Sequence, residues 1–539
     1  MKSEHFHAGN HRKLKTPEQR DFPAQGFTEI GRVVKGLGTR RRMWVLGVVA
    51  VLGFCLIINS SWRATPDSAL YLGLGESLAS DRGYVFNGDF HTFVPPGYPL
   101  IVAGAAYLLG DNFLTYRILM ALLGLLTAGF GYLFITRLCG PDTAFLAGGL
   151  FAVNHVLLHN STLTLSDVPF ALFALVALNA VLSASCSKNR AAWVILAGLL
   201  TGLLPIIRVN GLGVAPAAAF FLFCSWKDMR PAKRCLWIGI FLVLACAPFA
   251  TWLAYKASFP VSFAEGTYLD SVSRRFGDQA WVVFTAFLGY FPEGSYALTG
   301  VYLKTHVLEL IVPVVTAVGA VVAFRRGDRL LVPLTVIQFM GLLLSTAGSR
   351  YLIFLTPALY LFLALGILQI VEWLSHRIDK PLEPGRVLVI CFIALALTNV
   401  GHNLIAIVKC RTPLQAYGPQ SDRSLPFFTA ARWLKVNAPG AKILTPRPRT
   451  IHYLSGCHTI SLLRSGVAMH EMFVDTREQV QSLMTEHKPE FLFTDSKAPD
   501  LHSKIMDSIR NLGFDLKEIP EAASSERFHL YAIIPKQGS

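Results

Sequence analysis

Two aspartates lie where a carboxylate could do acid–base chemistry. Asp67 stands in ThrProAspSerAlaLeuTyr, just beyond a long apolar run, and Asp167 stands in LeuSerAspValProPhe, just before another. An ionisable group near a membrane face is costly unless it has a partner or a function. A carboxylate can act as a general base, and a second one can position the acceptor or help to hold a cation. Both aspartates also stand where helices begin, so N-capping is an equally good interpretation.

Four arginines form a second set of candidates. Arg208 and Arg350 stand at the ends of apolar runs, Arg117 opens such a run, and Arg82 lies in the segment after Asp67. A guanidinium stays charged and binds phosphate oxygens bidentately. Together these residues predict a site for a lipid-linked phosphate. The alternative is that each side chain reaches up to lipid headgroups or pairs with a local aspartate.

The segment between Asp67 and the next long apolar run has features of a substrate-binding loop. Tyr71 follows Asp67 by one helical turn, and ValProProGlyTyrPro at 94–99 forms a rigid corner before a short apolar run. We predict Tyr71, Pro95, Pro96 and Tyr98 as residues of a loop that shapes the acceptor and donor sites, although the corner could be a simple turn.

Other polar residues have weaker patterns. His91 and His155 lack neighbours at metal-ligand spacing, so we expect both to be structural. We expect Glu265, Asp270 and Glu293, which lie in an aromatic-rich stretch, to be solvated. No cysteine pair has the spacing of a metal site or a disulfide framework.

The composition defines the class of protein that must position these residues. The chain has 539 residues, of which 53% are apolar and only 15% charged, with a mean hydropathy of +0.46 and a net charge of +15. Soluble domains have about 25% charged residues. The sequence therefore excludes an ordinary cytosolic enzyme and a disordered chain, and we do not expect it to bind nucleic acid.

Apolar runs long enough to cross a membrane recur along the chain. A spanning helix needs about 20 apolar residues. Eleven runs qualify, at about 43–60, 115–138, 142–159, 167–185, 191–208, 210–226, 235–255, 306–324, 330–347, 351–374 and 387–409. The run 98–109 is too short and predicts an interfacial or re-entrant helix. We predict a mainly α polytopic membrane protein with about 11 spanning helices.

The distribution of Lys and Arg predicts the orientation. With residues 1–42 as a basic cytoplasmic tail, the excess of basic residues falls on the cytoplasmic side, as the positive-inside rule requires. The transmembrane domain is then 43–409, with long outer loops at 61–114 and 256–305. Residues 410–539 alternate short strands (443–445, 490–494 and 529–534) with helices, which predicts a small soluble α/β domain on the outer side. We expect a multi-pass protein of the inner cell membrane.

The order of several motifs resembles a known family. AspSerAlaLeuTyr, GlyTyrValPhe and ProProGlyTyrPro resemble the first outer loop of GT-C membrane glycosyltransferases. LeuThrLeuSerAspValProPhe and SerArgTyrLeuIlePheLeuThrPro are similar to later segments of the same superfamily. The similarity covers about residues 40–460 and is greatest to the branch (glycosyltransferase family 39) that contains protein O-mannosyltransferases and lipid A aminoarabinose transferases.

The resemblance implies a reaction. The donor would be a sugar on a polyprenyl phosphate, the acceptor a hydroxyl of a glycan, lipid or protein, and the displacement inverting. Asp67 would be the base and Asp167 would assist it. Two departures stand out, because many relatives have Asp-Glu where this chain has Asp67-Ser68, and Lys or His where it has Val94.

Two other classes of function remain open at this point. A transporter or flippase of a lipid-linked substrate would use similar residues but would be expected to have internal repeats and polar groups near mid-span. A non-catalytic scaffold would not need Asp67 and Asp167 near a basic cluster. A divalent metal held by Asp67 and Asp167 is an open alternative.

Overall fold

A computed structural model describes residues 27–259, 280–302, 306–343, 348–378, 382–411, 425–462, 477–495, 499–522 and 528–536. Residues 1–26 of the predicted basic tail lie outside these ranges, as do Glu265 and Asp270. The described part of the chain is mainly helical, as the apolar composition predicts. A helix satisfies its own backbone hydrogen bonds, which is the condition for crossing hydrocarbon.

Six helices in the described residues are long and apolar enough to cross a membrane. They are Phe113–Cys139, Asp167–Cys186, Arg190–Ile207, Pro231–Ala257, Thr356–Ile378 and Pro384–Arg411. Each coincides with one of the eleven apolar runs. Helices Asp167–Cys186 and Thr356–Ile378 are the most buried of the six, whereas Pro231–Ala257 and Pro384–Arg411 are mostly exposed. The first pair therefore forms the middle of the bundle, and the second pair offers its apolar side chains to lipid.

The other five apolar runs are not among these six helices, so the expected number of eleven spans is not established. Arg40–Leu56 has 17 residues and His306–Arg325 has 20. The run 142–159 is divided into Pro141–Thr143, a π-helical Ala144–Gly148, Gly149–Ala152 and His155–Asn160. The run 210–226 forms the 3-10 turn Val209–Gly213 and helix Val214–Ser225, and the run 330–347 forms helix Leu331–Leu342.

The segment 256–305, which the sequence pattern predicts as an outer loop, contains a helix. Ala280–Thr299 is helical over 20 residues despite Pro292 in its interior. The carbonyl groups near its C-terminus accept hydrogen bonds from other helices: Asn154 donates to Ala297, and Tyr360 and Asn399 donate to Leu298. These bonds satisfy carbonyls that a helix end leaves open. Residues 260–279 and 303–305 of the same predicted loop lie outside the described part.

Hydrogen bonds at one end of the bundle join segments that the sequence places on the outer side. Asn59 donates to the carbonyl of Cys410 at 3.1 Å, and the hydroxyl groups of Tyr71 and Ser166 are 3.0 Å apart. We call this end, which carries the first loop (57–112), the first-loop end. The start of the C-terminal region therefore lies at the same end as Asp67 and Asp167.

Segments predicted to be cytoplasmic meet at the opposite end. The backbone amide of Gly38 donates to Asp142 at 2.7 Å, and Glu29 forms an ion pair with Arg326. Arg137 donates to the carbonyl of Asn179 at 3.0 Å. The described residues near 29, 38, 137, 142 and 326 thus lie together at the end opposite the first loop. Which end faces the cytoplasm remains the prediction from the basic residues.

The first loop folds against the bundle in two short helices and a hairpin. Helix Pro66–Ala79 and helix Gly97–Leu109 flank the two-residue strands β1 (Val85–Phe86) and β2 (Asp89–Phe90). At 13 residues, Gly97–Leu109 is too short to cross a membrane. A Cβ on Gly97 would lie 2.7 Å from the carbonyl oxygen of Ile206. Glycine at this position therefore lets the loop pack directly on the backbone two residues before Arg208.

The C-terminal region is a three-layer α/β unit. Its five strands are β3 (Lys442–Thr445), β4 (His458–Ser461), β5 (Phe491–Asp495), β6 (Phe514–Glu518) and β7 (Phe528–Pro535). They lie in the order β4-β3-β5-β7-β6, with β3 parallel to β4 and β5, and β7 antiparallel to β5 and β6. Helices Leu425–Asn437 and Pro448–Ser455 cover one face, and Arg477–His487 and Pro499–Asn511 cover the other.

Alternating side chains explain how the sheet binds helices on both faces. In β3, Ile443 packs with one helix layer and Leu444 with the other. In β5, Leu492 and Phe493 divide in the same way. Successive strand residues point to opposite faces, so a continuous apolar strand needs a helix layer on each side.

Candidate active site

Asp67 lies in the first turn of helix Pro66–Ala79, and other residues cap that helix. Thr65 is the N-cap, and its hydroxyl accepts from the backbone amide of Ser68 at 3.0 Å. The hydroxyl of Ser68 accepts from the amide of Thr65 at 2.9 Å. This reciprocal pair is a capping box. The Asp67 carboxylate is therefore not needed for the cap, and its side chain is 44% exposed.

Two guanidinium groups approach the two oxygens of Asp67 separately. Arg449 Nη1 lies 3.2 Å from Oδ1, and Arg350 Nη2 lies 3.6 Å from Oδ2. Arg350 belongs to the membrane bundle and Arg449 to the C-terminal region. The carboxylate thus stands between two parts of the chain that are far apart in sequence.

Asp167 has a different environment from Asp67. Its side chain is 2% exposed, and Oδ1 accepts from Arg208 Nη1 at 2.7 Å. The same guanidinium nitrogen lies 3.2 Å from the Ser166 hydroxyl. Ser166 in turn meets the hydroxyl of Tyr71. Asp167 is thus buried behind Arg208 and holds that arginine in place, rather than facing solvent itself.

Tyr351 joins the two ion pairs. The Arg208 guanidinium lies 4.6 Å from the ring centroid of Tyr351, and the Arg350 guanidinium lies 4.9 Å from it. Arg350 also donates to the Tyr351 hydroxyl at 2.9 Å. An aromatic face attracts cations at such distances. The resulting cluster has three guanidinium groups and two carboxylates, so it carries an excess of positive charge that suits an anionic ligand.

The backbone around each arginine fixes where it stands. Helix Arg190–Ile207 ends at Arg208, whose φ of −158° is extended. Arg350 lies in the 3-10 turn Ser349–Leu352, and the backbone amide of Ser349 donates to Glu293 at 2.6 Å. Glu293, which we expected to be solvated, therefore anchors the turn that carries Arg350.

The predicted loop residues line the same end of the bundle. The rings of Tyr71 and Tyr98 meet edge to face with centroids 4.9 Å apart, and the buried Tyr98 hydroxyl lies 3.3 Å from the sulfur of Met120. Pro96, which follows Pro95, is the N-cap of helix Gly97–Leu109. Burial raises the pKa of Tyr71 to about 12, so its hydroxyl keeps its proton at neutral pH and is not a candidate base.

Arg82 and Arg117 have other contacts. Arg82 forms an exposed ion pair with Glu76 at 3.1 Å. Arg117 is buried and donates to the backbone carbonyl groups of Thr162 and Ser61, the latter at 2.6 Å. Arg117 therefore ties the first loop to the loop before Asp167. The guanidinium groups beside Asp67 and Asp167 are those of Arg208, Arg350 and Arg449.

The residues of the cluster do not fit a divalent cation. Among the described residues, no three His, Cys, Asp or Glu side chains lie together as ligands of one ion. Asp67 and Asp167 each face a guanidinium whose charge a metal ion would have to displace.

His91 supports the corner before helix Gly97–Leu109 in its neutral form. Its side chain is buried, and Nε2 accepts from the backbone amide of Val94 at 3.1 Å. Burial, with smaller contributions from Arg449 and Lys256, lowers the pKa of His91 to about 3. Protonation would remove the acceptor on which Val94 depends.

We expect this histidine to make stability depend on pH. Between its ordinary pKa of about 6.5 and its folded pKa, the unfolded chain binds more protons, so stability falls as pH falls. From pH 7 to pH 5 the loss from His91 is about 2 kcal/mol. Thermal unfolding in detergent of the wild type and of His91→Gln, measured at both pH values, should give a flatter pH dependence for the variant. Equal slopes would contradict the prediction.

Comparison with known proteins gives one match in sequence and several in fold. Residues 94–252 match a family model described as dolichyl-phosphate-mannose-protein mannosyltransferase. The match covers less than half of the chain and includes Asp167 and Arg208. A comparison with curated proteins finds no match.

Solved structures of two other proteins have a similar fold. ArnT from Cupriavidus metallidurans in the apo state is 13% identical with a TM-score of 0.52, over 92% of this chain and 98% of ArnT. An oligosaccharyltransferase from Archaeoglobus fulgidus, tethered with an acceptor peptide, is 12% identical with a TM-score of 0.52, over 92% of this chain and 74% of that one. These similarities confirm the resemblance to GT-C glycosyltransferases and show that the chain has their fold.

Proposed function

We propose that this chain, which has the GT-C fold, is a membrane glycosyltransferase that moves a sugar from a polyprenyl phosphate to a hydroxyl acceptor. The observation that carries the proposal is the cluster of Asp67, Asp167, Arg208 and Arg350 around Tyr351. It provides an exposed carboxylate beside an excess of guanidinium groups at one end of a membrane bundle. A hydroxyl acceptor and a phosphate leaving group need that combination.

The proposed reaction is an inverting displacement. Asp67 accepts the proton of the acceptor hydroxyl. At the same time, the oxygen of that hydroxyl forms a bond to the anomeric carbon of the donor sugar. The bond from that carbon to the phosphate oxygen breaks, and the lipid phosphate leaves with the bonding electron pair. Guanidinium groups stabilise the charge that develops on the leaving phosphate. Asp167 acts through Arg208, because its own oxygen is buried against that side chain.

Ligands of the similar structures support a lipid phosphate donor. ArnT from Cupriavidus metallidurans has also been crystallised bound to undecaprenyl phosphate, with 13% identity and a TM-score of 0.51 over 91% of this chain and 97% of ArnT. We propose that the cluster lies on the extracytoplasmic side, as the basic residues predict. The C-terminal α/β region, the first loop and the acceptor would then share one compartment.

Turnover by purified protein tests the proposal. Sugar should pass from a polyprenyl-phosphate donor to a hydroxyl acceptor, with release of lipid phosphate, in detergent where no compartments exist. A transporter or flippase would move the lipid-linked substrate across a proteoliposome membrane without breaking the sugar–phosphate bond. Intact donor after long incubation with a panel of hydroxyl acceptors would contradict a glycosyltransferase.

Arg350 provides a separate test of the donor site. We expect Arg350→Gln to weaken binding of undecaprenyl phosphate about 30-fold or more, because losing one partner of a partly desolvated charge pair typically costs 2 kcal/mol or more. Binding can be measured directly with the lipid phosphate, without turnover. Arg82→Gln is the matched control, because Arg82 lies in an exposed pair with Glu76. If wild type and Arg350→Gln bind undecaprenyl phosphate with equal affinity, Arg350 does not contribute to the donor site and its ionic role is limited to Asp67.

A further inference from the structure

Arg449 reaches Asp67 from a part of the chain that the proposed reaction has not yet used. It lies on helix Pro448–Ser455 of the C-terminal α/β region, and its side chain is 23% exposed. The guanidinium stands 3.2 Å from Oδ1 of Asp67 and 5.9 Å from the ring centroid of Phe93 in the first loop. With Arg350 on Oδ2, Arg449 completes a clamp on both oxygens of the carboxylate.

The helix that carries Arg449 is packed onto the first loop. The rings of Tyr453 and Trp62 meet edge to face at 5.2 Å, and those of His452 and Phe86 at 4.7 Å. These aromatic contacts hold helix Pro448–Ser455 against the hairpin and against the segment just before helix Pro66–Ala79. They place the Arg449 side chain within reach of Asp67.

The tip of the first-loop hairpin binds the edge of the C-terminal sheet. Asn87 and Gly88 form the two-residue turn between β1 and β2, and Asn87 has a positive φ of 57°. An Asn-Gly pair is favoured in such a tight turn, where both residues need positive φ. The Asn87 side chain donates to the carbonyl of Thr459 at 2.8 Å and accepts from the Thr459 amide at 2.8 Å.

These bonds use the free edge of the sheet. Thr459 belongs to β4, the edge strand, whose outward backbone groups need partners. The side-chain amide of Asn87 therefore provides the donor and the acceptor that a neighbouring strand would offer to Thr459. The Asn87 backbone amide donates to His452 Nε2 at 3.0 Å, while His452 Nδ1 donates to the Cys457 carbonyl at 2.7 Å. We call Asn87, His452 and Thr459 the hairpin latch.

We propose that Arg449 is a positioning residue for Asp67. The hairpin latch holds the helix that carries Arg449 in the position from which its side chain reaches Asp67. The C-terminal region then forms part of the site, because without it the carboxylate would have a guanidinium on one oxygen only. Arg449 orients the carboxylate toward the acceptor hydroxyl, and it acts through Asp67. This inference rests on the proposed function.

Kinetics of Arg449→Gln test the role in orientation. We expect kcat to fall about 10- to 100-fold, because a misplaced catalytic group costs rates of that order. The donor KM should stay within about twofold, because Arg449 acts through the base and not on the lipid phosphate. Arg449→Lys keeps the cation and should recover most of the rate. Arg432→Gln, an exposed arginine of helix Leu425–Asn437, is the matched control.

The double variant separates positioning from general destabilisation. Asp67→Asn combined with Arg449→Gln should be no slower than Asp67→Asn alone within about twofold, since residues acting in one unit are not additive. A full multiplicative loss would overturn the proposal. An unchanged kcat in Arg449→Gln would also overturn it. So would a raised donor KM at constant kcat, which would make Arg449 a donor ligand.

The latch is tested by a variant far from the chemistry. Asn87→Ala should increase the rate of hydrogen–deuterium exchange in residues 448–461. It should also lower kcat, as Arg449→Gln does. Faster exchange with an unchanged kcat would contradict the proposal that the latch positions Arg449. If the wild type transfers no sugar at all, the proposed function itself fails. If the wild type is active and Arg449→Gln equals it, only the positioning role fails.

Discussion

Asp67→Asn is expected to lower kcat by about 10²–10⁴-fold, the usual cost of losing a general base. The amide keeps the shape of the side chain but cannot accept the acceptor proton. The fold should survive, because the helix is capped by Thr65 and Ser68 and not by Asp67. Loss of rate without loss of stability is therefore the specific signature of catalysis here.

The measurement needs turnover and thermal stability on the same preparation. Thr65→Ala is a useful comparison, because it removes the cap hydroxyl and should lower stability by about 1 kcal/mol. If Asp67 served only the helix, Asp67→Asn would behave like Thr65→Ala. A stable Asp67→Asn protein that transfers sugar at the wild-type rate would exclude Asp67 as the base.

The second large effect is expected at Asp167, and it is an effect on stability. Asp167→Asn leaves Arg208 charged beside a neutral amide in a mostly buried setting. Removing one partner of a buried ion pair typically costs about 3–5 kcal/mol. We therefore expect a marked fall in the thermal midpoint in detergent, together with weaker binding of undecaprenyl phosphate, because Arg208 loses the group that holds it.

An exposed ion pair of the same chain provides the control. Arg190 and Asp228 are 2.8 Å apart, but the Asp228 side chain is 64% exposed. Asp228→Asn should cost less than about 1 kcal/mol. The double variant Asp167→Asn with Arg208→Gln should recover part of the stability lost in Asp167→Asn, because it removes the uncompensated charge. Similar midpoints for Asp167→Asn and Asp228→Asn would show that burial of the pair contributes little.

Much of the fold can be predicted from the sequence, because hydrophobic length and composition act locally. The runs around Phe113–Cys139 and Thr356–Ile378 are apolar for about the thickness of a membrane, and in such a run the backbone must bond to itself. Helix Ala280–Thr299 was missed, since Pro292 and Glu293 interrupt an aromatic stretch that resembled a loop.

Part of the candidate site was predictable for a similar reason. Asp67, Asp167, Arg208 and Arg350 all stand next to apolar runs, and runs that alternate in direction bring such ends to one face of a bundle. That reasoning gives a shared end but no distances. It could not tell that Asp167 is buried against Arg208 while Asp67 stays half-exposed.

The sequence by itself determined a helical membrane protein, the order of its GT-C-like motifs and a set of charged residues at the ends of apolar runs. Only the tertiary structure decided which of those residues meet. Arg117 binds backbone carbonyl groups and Arg82 binds Glu76, whereas Arg449, which is 382 residues from Asp67, becomes its closer guanidinium. The physical reason is that helix formation and apolar burial follow from neighbours along the chain. Ion pairs and hydrogen bonds depend on ångström distances that exist only after distant segments, such as Asn87 and β4, have packed together.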